Sequence, residues 1–374
     1  MPSPFFPAAQ AEGLRGFFMT VPAAPKDRQT PKERMKAYAA GQPYDRAPCV
    51  PFLCQHVAQL FGSSNRAFNT SPKVLADVLE AAFRKFRPDS ISVEADLQSI
   101  PEALGSALFF PEFGPARIDA PALTDYAQLD DLEPADPAAS GRLPMFFEAL
   151  EDLSARIGQE VAVDMGVGGP FTAAAMLVGV DKFMRDTVND PENVRRVLQL
   201  TAESICRFVE RAVGLGADVC LAEPMASTLL VSPKTFRTFV KPCLRQIVDR
   251  AVKACGRSVS LHICGKTKKN WLDLAETGIA AFSLDNMESL AEARETIGGQ
   301  VTLMGNVPPV EILKDGRPED VLASVKACLE AASGNPMGFV LASGCEVALG
   351  TPEENILAMM DGARLYGQNP DFVS

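Results

Sequence analysis

From residue 160 to the C-terminus the chain repeats one pattern, a short apolar run closed by a turn and followed by an amphipathic stretch of helical length. Few folds accept such a rhythm. Apolar runs at 161–165, 217–222, 259–264, 281–284, 301–304 and 339–342 alternate with helical spacing at 170–186, 191–216, 232–255, from 268, and at 289–297, 318–332 and 352–366. Strands separated by helices run parallel, either closed into an eight-stranded barrel or opened into a doubly wound sheet.

The first 160 residues are less regular. Thr30, Pro31 and Glu33 form a helix start, with Thr30 as N-cap and Glu33 reaching back to it, and that helix ends near Gly41. A short apolar run at 45–53 precedes a helix over 71–86, where Val74, Leu75, Val78, Leu79 and Ala82 recur at helical spacing, and a strand over 90–95. Residues 101–141, rich in proline, glycine and acidic side chains with no sustained period, are expected to be a long loop or lid. Residues 1–29, carrying Phe5, Phe6, Phe17 and Phe18, read as an extension that packs on the body or a partner. No interior break divides residues 30–374, which are expected to form one domain.

The choice between barrel and open sheet rests on chemistry. No Gly-x-Gly-x-x-Gly follows an early strand and no Gly-x-x-x-x-Gly-Lys-[Ser/Thr] occurs, so dinucleotide and P-loop readings lose their main support. Instead the runs end in polar or reactive residues: Glu94 and Asp96, Glu223, His262 and Cys264, Asp285, Asn306, and Cys345 with Glu346. Functional groups at the C-terminal ends of several strands describe the active-site face of a (β/α)8 TIM barrel.

His262 is one of only two histidines, and Cys264 follows at i+2, so a strand aims both at one face. Cys345 ends a later apolar run. One nitrogen and two sulfurs suit zinc, and three protein ligands leave a fourth position open, as catalytic sites do. The same residues also fit a buried histidine beside two inert core thiols. Gly265 and Gly344 adjoin the two cysteines and free the backbone to turn there.

The formal charge of −11 argues against a nucleic-acid or anionic-membrane surface. No apolar run reaches the roughly 18 to 20 residues of a membrane span. Nine cysteines scattered through apolar stretches make no disulfide framework, which predicts a reducing cytoplasm.

Several motifs carry a resemblance. Leu261-His-Ile-Cys-Gly265, Ser283-Leu-Asp285, Gly305-Asn-Val-Pro-Pro309, Leu341-Ala-Ser-Gly-Cys345 and Thr351-Pro-Glu-Glu-Asn355, in this order, resemble the uroporphyrinogen decarboxylase superfamily. More narrowly they resemble its zinc-dependent, corrinoid-linked methyltransferases, typified by the methylcobamide:coenzyme M enzymes. Tyr44-Asp-Arg-Ala-Pro48, Gly169-Pro-Phe-Thr172 and Ala222-Glu-Pro-Met-Ala-Ser227 agree, so the likeness covers about residues 30–367. It implies a barrel binding Zn2+ through His262, Cys264 and Cys345, with the methyl acceptor's sulfur as an added ligand. It also implies a methylcobalamin-type corrinoid carried on a separate protein.

Two other activities belong to the same superfamily. Its decarboxylases grip substrate carboxylates with an arginine-rich N-terminal motif and carry histidine where Cys345 stands, whereas residues 50–56 here contain no arginine. Related methyltransferases run the opposite way, from a methoxylated aromatic or other small donor onto the corrinoid protein. A zinc-stabilised scaffold without turnover is the non-enzymatic alternative, and it requires a closed four-ligand site.

Around the ligands, Glu223 and Asp285 stand as catalytic candidates and Asn306 as a cofactor-binding one. For Glu223 a fourth ligand position, a proton-accepting role and simple bonding to nearby amides are all open. Asp285 and Asn306 are placed to orient His262 through its second nitrogen, or to satisfy loop amides at strand ends. Glu94 and Asp96 are candidate substrate contacts, His56 a packed histidine, and Trp271 a candidate contact for the corrinoid partner.

Overall fold

The computed structural model describes residues 23–369 and Phe372. Eight parallel strands form the central sheet: β1 (Cys49–Val50), β2 (Ser90–Ala95), β5 (Ala162–Gly168), β6 (Val219–Ala222), β7 (Ser260–Ile263), β8 (Ala281–Leu284), β9 (Thr302–Val307) and β10 (Phe339–Ser343). A small antiparallel hairpin, β3 (Ala107–Phe109) and β4 (Arg117–Ala120), lies outside it. The ladder runs β1-β10-β9-β8-β7-β6-β5-β2, and it brings β2 back beside β1. There the Asp89 amide donates to the Cys49 carbonyl at 3.0 Å, while the Cys49 amide donates to the Asp89 carboxylate at 2.7 Å. The barrel expected from the reactive groups at the strand ends is the fold observed.

The strands are near-continuous apolar runs because helices cover their outer face. Leu261 and Ile263 on β7, Phe282 and Leu284 on β8, and Leu303 on β9 are all fully buried. On β2 the pattern alternates instead. Ile91, Val93 and Ala95 are buried, while Ser90, Ser92 and Glu94 keep partial exposure.

The seam between β1 and β2 is braced by charge. Arg34, on the helix Pro31–Ala39, donates to Asp45 at 2.6 Å and also bonds Asp89, and Arg46 donates to Asp89 at 2.7 Å and to Asp27 at 2.7 Å. Arg34 and Arg46 are fully buried, so the pairing is what makes their burial tolerable. Thr30 and Glu33 form the expected capping box at the start of that helix. Asp27 and the Arg28 and Gln29 amides, which donate to Asp45, tie the end of the extension to the body; its phenylalanines lie outside the described residues.

The structure differs from the expected elements in the first half. Residues 101–141 hold the β3–β4 hairpin and a helical turn at Tyr126–Asp131, followed by a helix Leu143–Ile157 that the pattern did not reveal. The hairpin has neither face buried, so no alternation marks it. The helix expected to run to residue 186 is two, Pro170–Val178 and Val180–Asn189, split at Gly179, whose φ of 93° lies in the left-handed region.

Candidate metal centre

β7 and β10 bring the three proposed ligands together at the C-terminal mouth of the barrel. His262 Nε2 lies 3.3 Å from Cys264 Sγ, and Cys264 Sγ lies 3.6 Å from Cys345 Sγ. All three ligand atoms fall within 4.8 Å of one another. A zinc tetrahedron with bonds of about 2.0 Å to nitrogen and 2.3 Å to sulfur has edges of about 3.5 and 3.8 Å, so these separations fit the ion. Among the described residues no carboxylate joins the group, and three donors leave a position for an exogenous ligand.

The local backbone explains how the cysteines converge. Gly265 turns the chain away from Cys264 with φ +74°, a conformation that side-chain-bearing residues rarely adopt. At Gly344 a Cβ would stand 2.7 Å from the Asn286 amide nitrogen, so only glycine lets the loop carrying Cys345 approach the loop after β8.

The two thiols share their protons unequally. A hydrogen bond from Cys264, helped by His262, holds the Cys345 thiol well below its usual range against the effect of burial. Donating that bond, together with burial, pushes Cys264 well above it. One thiolate is thus favoured before any metal arrives, and a divalent ion would take the second proton off.

His262 is oriented by a residue to which sequence reasoning assigned no role. Its Nδ1 lies 3.0 Å from the Ser283 hydroxyl, and Ser283 is its register partner on β8. The cross-strand position was the available signal. Asp285 turns elsewhere, accepting from the Gly265 amide at 2.8 Å and the Met287 amide at 2.8 Å. Asn306 donates to the carbonyls of Asp285 at 3.2 Å and Glu288 at 2.8 Å. Both therefore hold the loop against which Cys264 is set, with neither touching the imidazole.

Glu223 is fully buried, and its carboxylate accepts from the Phe171 amide at 2.9 Å, the Thr172 amide at 2.6 Å and the Thr172 hydroxyl. It caps the start of helix Pro170–Val178, while its own amide donates to the His262 carbonyl at 2.8 Å. Burial pushes this carboxyl up to about 7, against the pull of the three donors. Asp96 pairs with Arg142 at 2.9 Å. His56 is buried with neither ring nitrogen partnered, and burial lowers its pKa. Trp271 is buried too, its indole donating to the Thr267 hydroxyl at 2.9 Å, which removes it from any docking surface.

The three ligands open onto a cavity of about 390 Å³ that continues down the barrel axis. Phe52 covers one side, its ring centroid 6.0 Å from that of His262. Glu94 and Glu346 line the same space, the latter accepting from the Gln55 amide at 2.6 Å, and burial pushes Glu346 up to about 7.

The chain is 28% identical over 341 residues to the methylcobamide:CoM methyltransferase MtaA of Methanosarcina barkeri, covering 88% of this chain and 96% of that protein. It is 28% identical over 301 residues to the uroporphyrinogen decarboxylase of Synechococcus sp., covering 78% and 82%. A solved methyltransferase from Methanosarcina mazei superposes with a TM-score of 0.81 at 26% identity, covering 90% of this chain and 98% of that one. Residues 30–366 match the family described as uroporphyrinogen decarboxylase (URO-D), and the chain belongs to it.

Proposed function

We propose that this protein is a zinc-dependent methyltransferase that moves a methyl group between a corrinoid on a partner protein and the sulfur of a small thiol. The observation that carries this reading is the convergence of His262, Cys264 and Cys345 at zinc-like separations on the wall of a cavity. These residues would hold the ion through Nε2 and the two Sγ atoms. Zinc bound there supplies Lewis acidity that keeps a coordinated thiol ionised at neutral pH. The reaction exchanges a carbon–cobalt bond for a carbon–sulfur bond, with the electron pair left on cobalt and the thiol proton released to solvent.

The chain's own groups position rather than react. Ser283 fixes the rotation of the His262 ring, Asp285 holds the turn after Cys264, and Asn306 pins the loop that carries Asp285. Glu223 locks the end of β6 to the next helix and, through its amide, to the strand bearing His262. Phe52 narrows the approach to the ligands and keeps water from one side of them. Decarboxylation of a polycarboxylate is disfavoured because the cavity lining contains no lysine or arginine among the described residues.

The test is an absorbance assay of the purified protein with methylcobalamin and a panel of thiols, alongside metal analysis. Conversion to cob(I)alamin that needs both thiol and zinc is the expected result, and running the assay with cob(I)alamin and methyl ethers reads the opposite direction. Failure to bind zinc, or silence in both directions with zinc bound, overturns the proposal.

A further inference from the structure

Five acidic side chains line the cavity beside the three ligands: Glu94, Asp96, Asp164, Asp218 and Glu346. Two of them are already neutralised, Asp96 by Arg142 at 2.9 Å and Asp218 by Arg257 at 2.8 Å. Glu94, Asp164 and Glu346 form no salt bridge with lysine or arginine among the described residues, and no lysine or arginine shares the lining with them.

Glu94 is built into this position. It stands in register with Gly166 on β5, and a Cβ at 166 would lie 1.6 Å from Glu94 Oε2. Its carboxylate thus occupies the volume that a neighbouring side chain would fill. Glu346 follows Cys345 directly and is fixed by the Gln55 amide. Glu94 is half-buried and Glu346 exposed toward this space, and neither has a lysine or arginine partner, so a cation seated between them would supply the missing counter-charge. The metal does not supply it, because two thiolates already cancel the charge of a divalent ion.

We propose that the small-molecule substrate carries a cationic group, an ammonium in the simplest case, which seats against Glu94 and Glu346 while its sulfur faces His262, Cys264 and Cys345. The inference rests on the cavity being the small-molecule site of the methyltransferase described above. Such a substrate differs from coenzyme M, whose far end is a sulfonate. An anion at that end would meet two carboxylates and no lysine or arginine.

The experiment is isothermal titration calorimetry of the zinc-loaded protein with 2-aminoethanethiol, 2-mercaptoethanol and 2-mercaptoethanesulfonate. These share a two-carbon thiol and differ in the charge at the other end. The ammonium compound is expected to bind tightest and the sulfonate weakest, with at least about a tenfold span in Kd. In Glu94→Gln, and separately in Glu346→Gln, that span should shrink with zinc content and circular dichroism unchanged. Each thiol's own acidity is common to all three proteins, so the change in span reads the carboxylate.

A sulfonate that binds as tightly as the ammonium, a span unaltered in both variants, or no binding by any of the three overturns the inference. The methylcobalamin assay keeps the two readings apart. Thiol-dependent transfer without charge preference leaves the methyltransferase standing and removes the cationic substrate. The expected charge order without transfer to any thiol supports the cationic site and removes the methyltransferase.

Discussion

The sulfurs of Cys264 and Cys345 lie 3.6 Å apart although 81 positions separate them in the chain. Two thiols at that distance and a histidine nitrogen 3.3 Å from one of them make a site whose metal affinity is shared among three side chains. In Cys345→Ala zinc affinity should fall by about 100-fold or more, with methyl transfer abolished. Because the barrel core lies elsewhere, the thermal midpoint of the metal-free variant should match that of the metal-free parent. Metal analysis and a circular dichroism melt check both halves of this expectation, and collapse of the fold would mark the metal as structural.

Ser283→Ala removes the partner of His262 Nδ1 and leaves all three ligands in place. Loss of such an orienting hydrogen bond is expected to weaken zinc by about 10- to 100-fold. Competition with a chelator of known affinity measures it, and Ser283→Thr, which keeps the hydroxyl, should restore most of the loss.

Burial, with Asp218 nearby, pushes the carboxyl of Asp164 up to about 7, from an ordinary value of 3.8. A group whose folded pKa is raised contributes its stability below the unfolded pKa and loses it as pH rises through the folded one. Asp164 should therefore weaken the fold progressively between pH 4 and about 7. Asp164→Asn is expected to melt higher than the parent at pH 8, with the advantage shrinking as the pH falls toward 4. Parallel melts across that range check the sign.

At the barrel seam Asp89 is fully buried against Arg34 and Arg46. Replacing it with Ala leaves two buried guanidinium groups short of a partner, at an expected cost of about 3–5 kcal/mol by urea denaturation. The same network predicts acid sensitivity. Asp27 is held down to about 2 by Arg46, Arg34 and Arg364 against its burial, so its contribution is present above its ordinary pKa and is lost as pH falls from about 4 through 2.

How much of this was legible depended on where the information lay. The second half of the barrel could be read because its strands are largely buried apolar runs and its helices bury one face, which imposes a strong period. The His262–Cys264 pair was visible because a strand's two-residue repeat is fixed. Cys345 was readable as a strand-end thiol, but its distance from Cys264 is set by the closure of the whole ring. The role of Ser283 depends on strand register, and that of Glu223 on an amide cluster at a helix start 51 residues earlier. The hairpin at 107–120 escaped because neither of its faces is buried, whereas Glu94 and Glu346 were readable as strand-end carboxylates on the barrel's active-site face.

The seam between β1 and β2 has a mechanical consequence for the metal centre. Every other junction of the ring is a strand ladder, whereas this one is a backbone bond and an aspartate, and β1 itself is two residues long. His262 sits on β7 and Cys264 directly after it, deep in the stiff arc. Cys345 lies two residues past β10, which is separated from the compliant joint only by the two-residue β1, and Glu346 is tethered to the chain just beyond β1. An ion gripped by all three acts as a rivet across unequal stiffness, so loading the metal should slow amide hydrogen exchange most around residues 49–55 and 342–346. Residues 260–264, already held on both sides, should change little.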